Sequence, residues 1–209
     1  MSASRHNRLA AARRELVDQT VAESVHELGG HLPPPAVEIV SDGKSEGRFN
    51  LEHNRVEIRT VRFLGDPSVS DGRIRAAVAH EMGHWSDPTA AARARQIGLA
   101  WMTARVFMIV CVAGMVVALV IGGHDSKWPA VPAAAAIAVF VAAFGFMARL
   151  NWACEYFADA AATRVVGVAA VIEMVETFPP GRFSHTHPRP EDRIRRLRKL
   201  TGTPRDDDS

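Results

Sequence analysis

Cysteine is scarce in this chain: Cys111 and Cys154 are the only two among 209 residues. One lies inside an apolar run and the other in a different segment, so they do not make a disulfide framework and both read as reduced thiols. An excess of either charge is also missing, with 25 basic against 23 acidic residues. Nothing here supports a nucleic-acid partner, which would need a clustered basic face. The first thirty residues lack an apolar run and instead carry Arg5, Arg8, Arg13, Arg14, Glu15, Asp18, Glu23 and Glu27. No cleavable secretory signal is expected from such a start.

The most informative absence is that of charge in the middle of the chain. From Val106 to Gly123 the only ionisable side chain is Cys111, and from Trp128 to Ala148 there is none. The second run has 21 residues; at a helical rise of 1.5 Å per residue it reaches about 31 Å, the thickness of a bilayer core. The first run has 18 residues and lengthens if Ile97 to Thr103 joins it, with Arg105 reaching for the interface. Only His124, Asp125, Ser126 and Lys127 separate the runs, so the two helices must be antiparallel. A buried core hairpin is the competing reading, but the charged flanks are too small to wrap two such helices. Thirteen Lys/Arg precede the first run, one lies within it, one in the loop, and ten follow the second run. That distribution predicts both ends on the cytoplasmic side of an inner or plasma membrane. Ala134, Ala138 and Ala142 recur at spacing four, a small-residue stripe that would allow close helix approach or merely reflect an alanine-rich span.

The flanks read as a small mixed domain. Ser4 to Leu28 has apolar residues at helical spacing and stops at Gly29-Gly30 before three prolines. Short β-rich stretches follow at Ala36–Val40, Arg48–Leu51 and Val56–Val61, with a turn expected over Glu52–Arg55. Ser70 or Asp71 caps a helix that ends at Asp87-Pro88, and Thr89 can cap the next. Residues 149–166 contain no Gly or Pro, so the second apolar helix can run on unbroken. Pro179-Pro180-Gly181 breaks the chain, and Pro190, Glu191 and Asp192 open a last helix ending in Arg195, Arg196, Arg198 and Lys199. The tail Asp206–Asp208 is expected to fray.

The chemistry sits in His80-Glu81-Met82-Gly83-His84. On a helix, His80 and His84 lie one turn apart on one face, so both imidazoles can reach a single ion. Glu81 is rotated by about 100° from His80; it can sit beside the ion without binding it and take a proton from an attacking water. Two exposed histidines on an amphipathic helix would be the bland reading. Ala76, Ala77, Val78, Ala79 and Met82 make this helix a buried one, where partnerless imidazoles are costly. A third ligand is required. Glu155 and Asp159 share a helical face further on; either one binds metal while the other orients a histidine, or both are solvated acids.

These pieces together resemble the family of membrane zinc metallopeptidases that includes HtpX and the CAAX prenyl proteases. The matching elements are AVAHEMGHWSD at Ala77–Asp87, the apolar hairpin, the ExxAD element at Glu155–Asp159, and THPxxxDRIRRL from Thr186 to Leu197. The resemblance implies a mainly α (α+β) fold, a zincin-like domain of gluzincin type with a small β-rich stretch, interrupted by a two-helix transmembrane hairpin. The expected division is 1–96, the first part of the catalytic domain; 97–148, the hairpin; and 149–209, the part carrying the third ligand. It makes His80, His84 and Glu155 the ligands of one zinc ion, Glu81 the general base and Asp159 the aspartate behind the ligands. His187 and Arg193 match residues that contact the substrate carbonyl or developing oxyanion, a suitable task for an imidazole and a guanidinium. Read from the residues alone, Arg193 belongs to the basic face of a surface helix. Family members often carry arginine where this chain has Trp152.

The reading is an integral-membrane zinc endopeptidase acting on membrane-associated or unfolded proteins or peptides, with lipid as its surroundings. Glu155 lies six residues beyond Arg149, about 9 Å along a continuous helix, which places the expected site near the cytoplasmic membrane surface. The segment Arg48–Val61 is a candidate edge strand for an extended substrate. The rival readings are a non-catalytic zinc-binding membrane adaptor or regulatory protein, and a membrane sensor. An intact Glu81 has no purpose in a structural zinc site, which also favours cysteine ligands.

Overall fold

A computed structural model describes residues 3–30, 32–40, 47–59, 63–122, 130–179, 186–200 and 202. The expected loop at His124–Lys127, the start of the second apolar run at Trp128, the break at Pro180-Gly181, the far end of the third strand at Val61 and the tail Asp206–Asp208 lie outside these residues. Among the described residues the order is α1 (Ala3–Leu28), β1 (Ala36–Val40), β2 (Gly47–Asn50), β3 (Arg55–Arg59), α2 (Asp71–Ser86), α3 (Ala90–Gly122), α4 (Ala130–Val166), α5 (Val168–Glu176) and α6 (Pro190–Leu200). The chain is thus mainly helical with one small sheet, as expected. It divides into two compact units: Met1–Ala90 with Ala153–Phe183 and Pro188–Ser209, and Ala91–Trp152 with Ser184–His187.

In the first unit, α1 buries Arg13, Val17, Thr20, Val21 and Ser24, positions three or four apart that fall on one helical face. The two hydroxyls on that face are satisfied locally: Thr20 Oγ1 donates to Leu16 O and Ser24 Oγ to Thr20 O, both at 2.7 Å. Arg13 holds the turn ahead of α2, donating from Nη1 to Leu64 O and Asp66 O at 3.1 and 2.8 Å and from Nε to Asp71 at 3.0 Å. Gly29 ends α1 with φ +57°, a left-handed conformation open to glycine. Gly30 must also lack a side chain, because a Cβ there would lie 2.3 Å from the Trp85 ring.

The sheet has the order β1-β3-β2. β1 runs parallel to β3 (Val37 opposite Val56) and β2 runs antiparallel to it (Phe49 opposite Val56). Alternation sends Val56 and Ile58 into the core with Val37, Ile39 and Phe49 packed against it. The other face carries a charge ladder in which Arg55 bonds to both Glu38 and Glu57. The turn at 51–54 places Asn54 at φ 44°, tolerable for asparagine.

Helix α2 is the centre of this unit. Ser70 caps it, its hydroxyl accepting from Arg73 N at 3.0 Å. Ile74, Ala76 to His80, Met82, Gly83, Trp85 and Ser86 are all buried, so the small residues Ala and Gly let neighbours approach on several sides. At its end Asp87 Oδ1 receives both the N–H and the hydroxyl of Thr89, at 2.9 and 2.8 Å, so the expected capping threonine of α3 is held by the residue before Pro88. One break was not expected. Gly167, at φ +81°, separates α4 from α5, and α5 then buries Val171, Met174 and Val175, each worth about 1.5–3 kcal/mol when fully buried.

The second unit holds α3 and the apolar part of α4, two helices long and apolar enough to cross a membrane. Most of that apolar surface is exposed: Ile109, Val120, Ile121 and Ile137 are 69, 79, 81 and 66% accessible. A hairpin in the core of a water-soluble protein would be covered. Among the described residues of this unit Ala104, Cys111, Met147 and Ala148 are buried, and Trp101 meets Phe140 edge to face at 6.5 Å. Ala134, Ala138 and Ala142 are exposed, so the small-residue stripe does not make the close contact that its spacing allowed.

Candidate metal centre

The one-turn spacing of His80 and His84 on α2 brings their rings to 4.9 Å, nearly perpendicular. Glu155, on α4, faces both. Its Oε2 is 3.5 Å from His80 Nε2 and its Oε1 is 3.5 Å from His84 Nε2. One ligand atom from each residue lies within 4.8 Å of the others. These separations exceed a good N–H···O hydrogen bond, about 2.7–3.2 Å. They match the edge of a tetrahedron: ligand atoms about 2.0–2.1 Å from a tetrahedral ion are about 3.4 Å apart. Two imidazoles and one carboxylate are also the donors zinc takes in open, catalytic sites. The residues therefore fit the ion.

Close approach of the two helices makes this possible. A Cβ on Gly83 would lie 2.7 Å from both Cα and O of Ala158. Only glycine lets α2 approach the α4 backbone this closely, and the crossing falls beside His84 and between Glu155 and Asp159 in the two sequences. The motif contained Gly83, but its spacing gave no sign of this steric role.

Behind this trio stands a buried charge network. Asp159 Oδ1 is 2.9 Å from His80 Nδ1, an ion-pair contact in which Nδ1 is not aimed at the oxygen for a hydrogen bond; a small turn of the ring would make the carboxylate–imidazole bond that orients metal-binding histidines. Arg193 reaches Asp159 with both arms of its fork, Nε to Oδ2 at 2.8 Å and Nη2 to Oδ1 at 2.6 Å. Its Nη1 lies 3.6 Å from Glu155 Oε2, and its guanidinium carbon is 5.5 Å from the centre of the Phe178 ring. Arg193 is 3% exposed, so the basic surface face expected from the residues alone is wrong at this position. Burial alone would lower the His80 imidazole, but the Asp159 and Glu155 carboxylates outweigh it and push His80 from 6.5 to about 10 in the metal-free protein. Burial would raise both acids; contacts with His80 and His84 hold Glu155 well below its usual range, and Arg193 and His80 hold Asp159 down.

Glu81 is half-buried on the adjoining face of α2. Its Oε2 accepts the backbone N–H of Phe49 at 2.7 Å, and a Cβ on Gly47 would meet its Cγ at 3.0 Å. Edge strand β2 thus runs directly against the expected general base. A backbone amide carries no residue-type signal, and nothing in the sequence pointed to it. His187 is exposed on the bend before α6, its Nδ1 2.8 Å from the Thr186 hydroxyl.

The family model for peptidase family M48 matches residues 12–201. No curated protein and no solved structure matches the chain.

Proposed function

The chain belongs to peptidase family M48, and from that premise we propose that it is an integral-membrane zinc endopeptidase. It would cut membrane-associated or unfolded proteins close to the cytoplasmic membrane surface. The observation that carries the reading is the trio His80, His84 and Glu155 at metal-ligand spacing, with a carboxylate, Glu81, on the next face of the same helix. Zinc, when bound there, supplies a Lewis acid for the scissile carbonyl and for water. Glu81 takes the proton of the attacking water and delivers it to the leaving amine, so the acid–base step returns it to its starting form. His187 is assigned to the developing oxyanion, a charge that a properly placed imidazole N–H can stabilise.

Substrate recognition falls to the outer edge of β2. Among the described residues β2 pairs with β3 alone; beyond the Phe49 N–H, which Glu81 holds, an extended chain could add along that edge through main-chain hydrogen bonds. The membrane setting rests on the exposed apolar surface of α3 and α4 and on the small share of Lys and Arg between the two runs. The reading is tested in detergent by measuring zinc content and cleavage of an unfolded protein. Glu81→Gln should retain one zinc per chain and lose cleavage; a Glu81→Gln protein that cleaves at the wild-type rate sinks the mechanism.

A further inference from the structure

Arg193 is enclosed on every side that the structure describes. Two of its nitrogens are taken by Asp159 at 2.8 and 2.6 Å, a third faces Glu155 at 3.6 Å, and its guanidinium carbon lies over the Phe178 ring, 5.5 Å from the ring centre. A donor to a substrate oxyanion must face the space that substrate enters, 2.7–3.1 Å from the new charge. At 3% exposure, with its fork committed, Arg193 does not have that face. The contacts run inward instead, from Arg193 to Asp159 and from Asp159 Oδ1 to His80 Nδ1 at 2.9 Å.

We propose that Arg193 is a positioning residue of the metal centre, acting through Asp159 on His80, and that helix α6 is by this route a structural part of that centre. The proposal rests on the zinc-peptidase reading. Asp159 can orient His80 only while its own two oxygens are fixed, and a forked guanidinium fixes both at once. The same cation supplies the counter-charge for two carboxylates, Glu155 and Asp159, buried within one helical turn of each other. Helix α6 is built to deliver it. Arg193 and Leu197 are its buried residues, spaced four apart, so the apolar side chain seats the helix and the charged one reaches the network.

Zinc titration of the chelated, detergent-solubilised full chain, beside steady-state cleavage, tests this. Wild type should bind one zinc; if it binds none, the metal-centre reading fails, whatever Arg193 does. Given wild-type binding, Arg193→Met should weaken zinc affinity about 10–100-fold, the range for residues behind metal ligands. Arg193→Lys should fall between the two, because an ammonium keeps the charge but cannot make the fork. If Arg193 acts through Asp159, the double variant with Asp159→Asn should bind zinc no worse than Asp159→Asn alone. Unchanged zinc affinity with reduced kcat in Arg193→Met overturns the proposal and returns Arg193 to the oxyanion. Additive losses in the double variant also overturn it. Should Arg193→Met lose its helical circular dichroism, the Lys variant decides: wild-type zinc affinity there overturns the proposal.

Discussion

The backbone N–H of Phe49 and the side chain of Glu81 meet at 2.7 Å, tying the edge strand β2 to the HExxH helix. The contact occupies one carboxylate oxygen and leaves the other for water. Phe49→Pro removes the donor, and an edge strand tolerates proline where its N–H points away from the sheet. A hydrogen bond to a charged group is worth about 1.5–3 kcal/mol, so kcat should fall roughly 10- to 100-fold while zinc content stays at wild type. Steady-state cleavage beside metal analysis checks this; an unchanged kcat would show that the amide does not position Glu81.

Gly83→Ala places a methyl group 2.7 Å from main-chain atoms of Ala158, which cannot rotate away. Overpacking of this kind costs about 1–3 kcal/mol, and here the helix crossing that sets the ligand separation must also open. Both thermal stability and zinc affinity should drop. Gly72→Ala, on the same helix, meets only Glu173 and Ser70 side-chain oxygens at 3.7 and 3.8 Å and should leave both unchanged. Equal behaviour of the two variants in melting and zinc titration would refute the steric assignment.

His80 titrates near 10 in the metal-free protein, above the value of about 6.5 for an unfolded chain. A raised folded value stabilises the protonated protein. That stability is fully present below about pH 6.5 and is lost as pH rises through about 10. Chelated protein should therefore melt at progressively lower temperature from pH 7 to pH 10. Zinc must displace the same proton, so uptake at pH 7 should release close to one proton per ion and tighten as pH rises. Calorimetry in buffers of different ionisation enthalpy counts that proton; a count of zero would show His80 already neutral.

Alkaline carbonate extraction of membranes containing the chain should leave it in the lipid fraction. In sealed vesicles with the cytoplasmic side inward, added trypsin should reach only the short segment around Lys127. Cleavage among the arginines of α6 under the same conditions would contradict the proposed sidedness.

Much of the fold was legible because local rules decided it. β1 was bounded correctly by its prolines and alternation, α2 by Ser70 and Pro88, and α1 by Gly29. The grouping of His80, His84 and Glu155 at metal-ligand spacing was expected from the spacing of the two histidines together with the family resemblance of the segment at Glu155. What escaped was set by tertiary contact. Gly167 breaks a helix in an apolar stretch with no proline to mark it. Arg193 sits in a run of five basic residues within seven positions, which reads as a solvated face; its partner Asp159 is 34 residues earlier. Gly83 and the Phe49 amide act through shape and main chain, and neither leaves a trace in composition.

The fork between Arg193 and Asp159 has a consequence for how the protein is born. His80 leaves the ribosome 113 residues ahead of Arg193. At about 5–20 residues per second, the histidine waits roughly 6–23 s for the cation that completes its surroundings. Asp159 follows His80 by 79 residues and precedes Arg193 by 34, so for the last roughly 2–7 s of that interval the nascent chain carries both imidazoles and Asp159 but lacks the guanidinium that balances it. The order of synthesis thus places the finished centre after the last helix has docked, and separates making the peptidase from arming it.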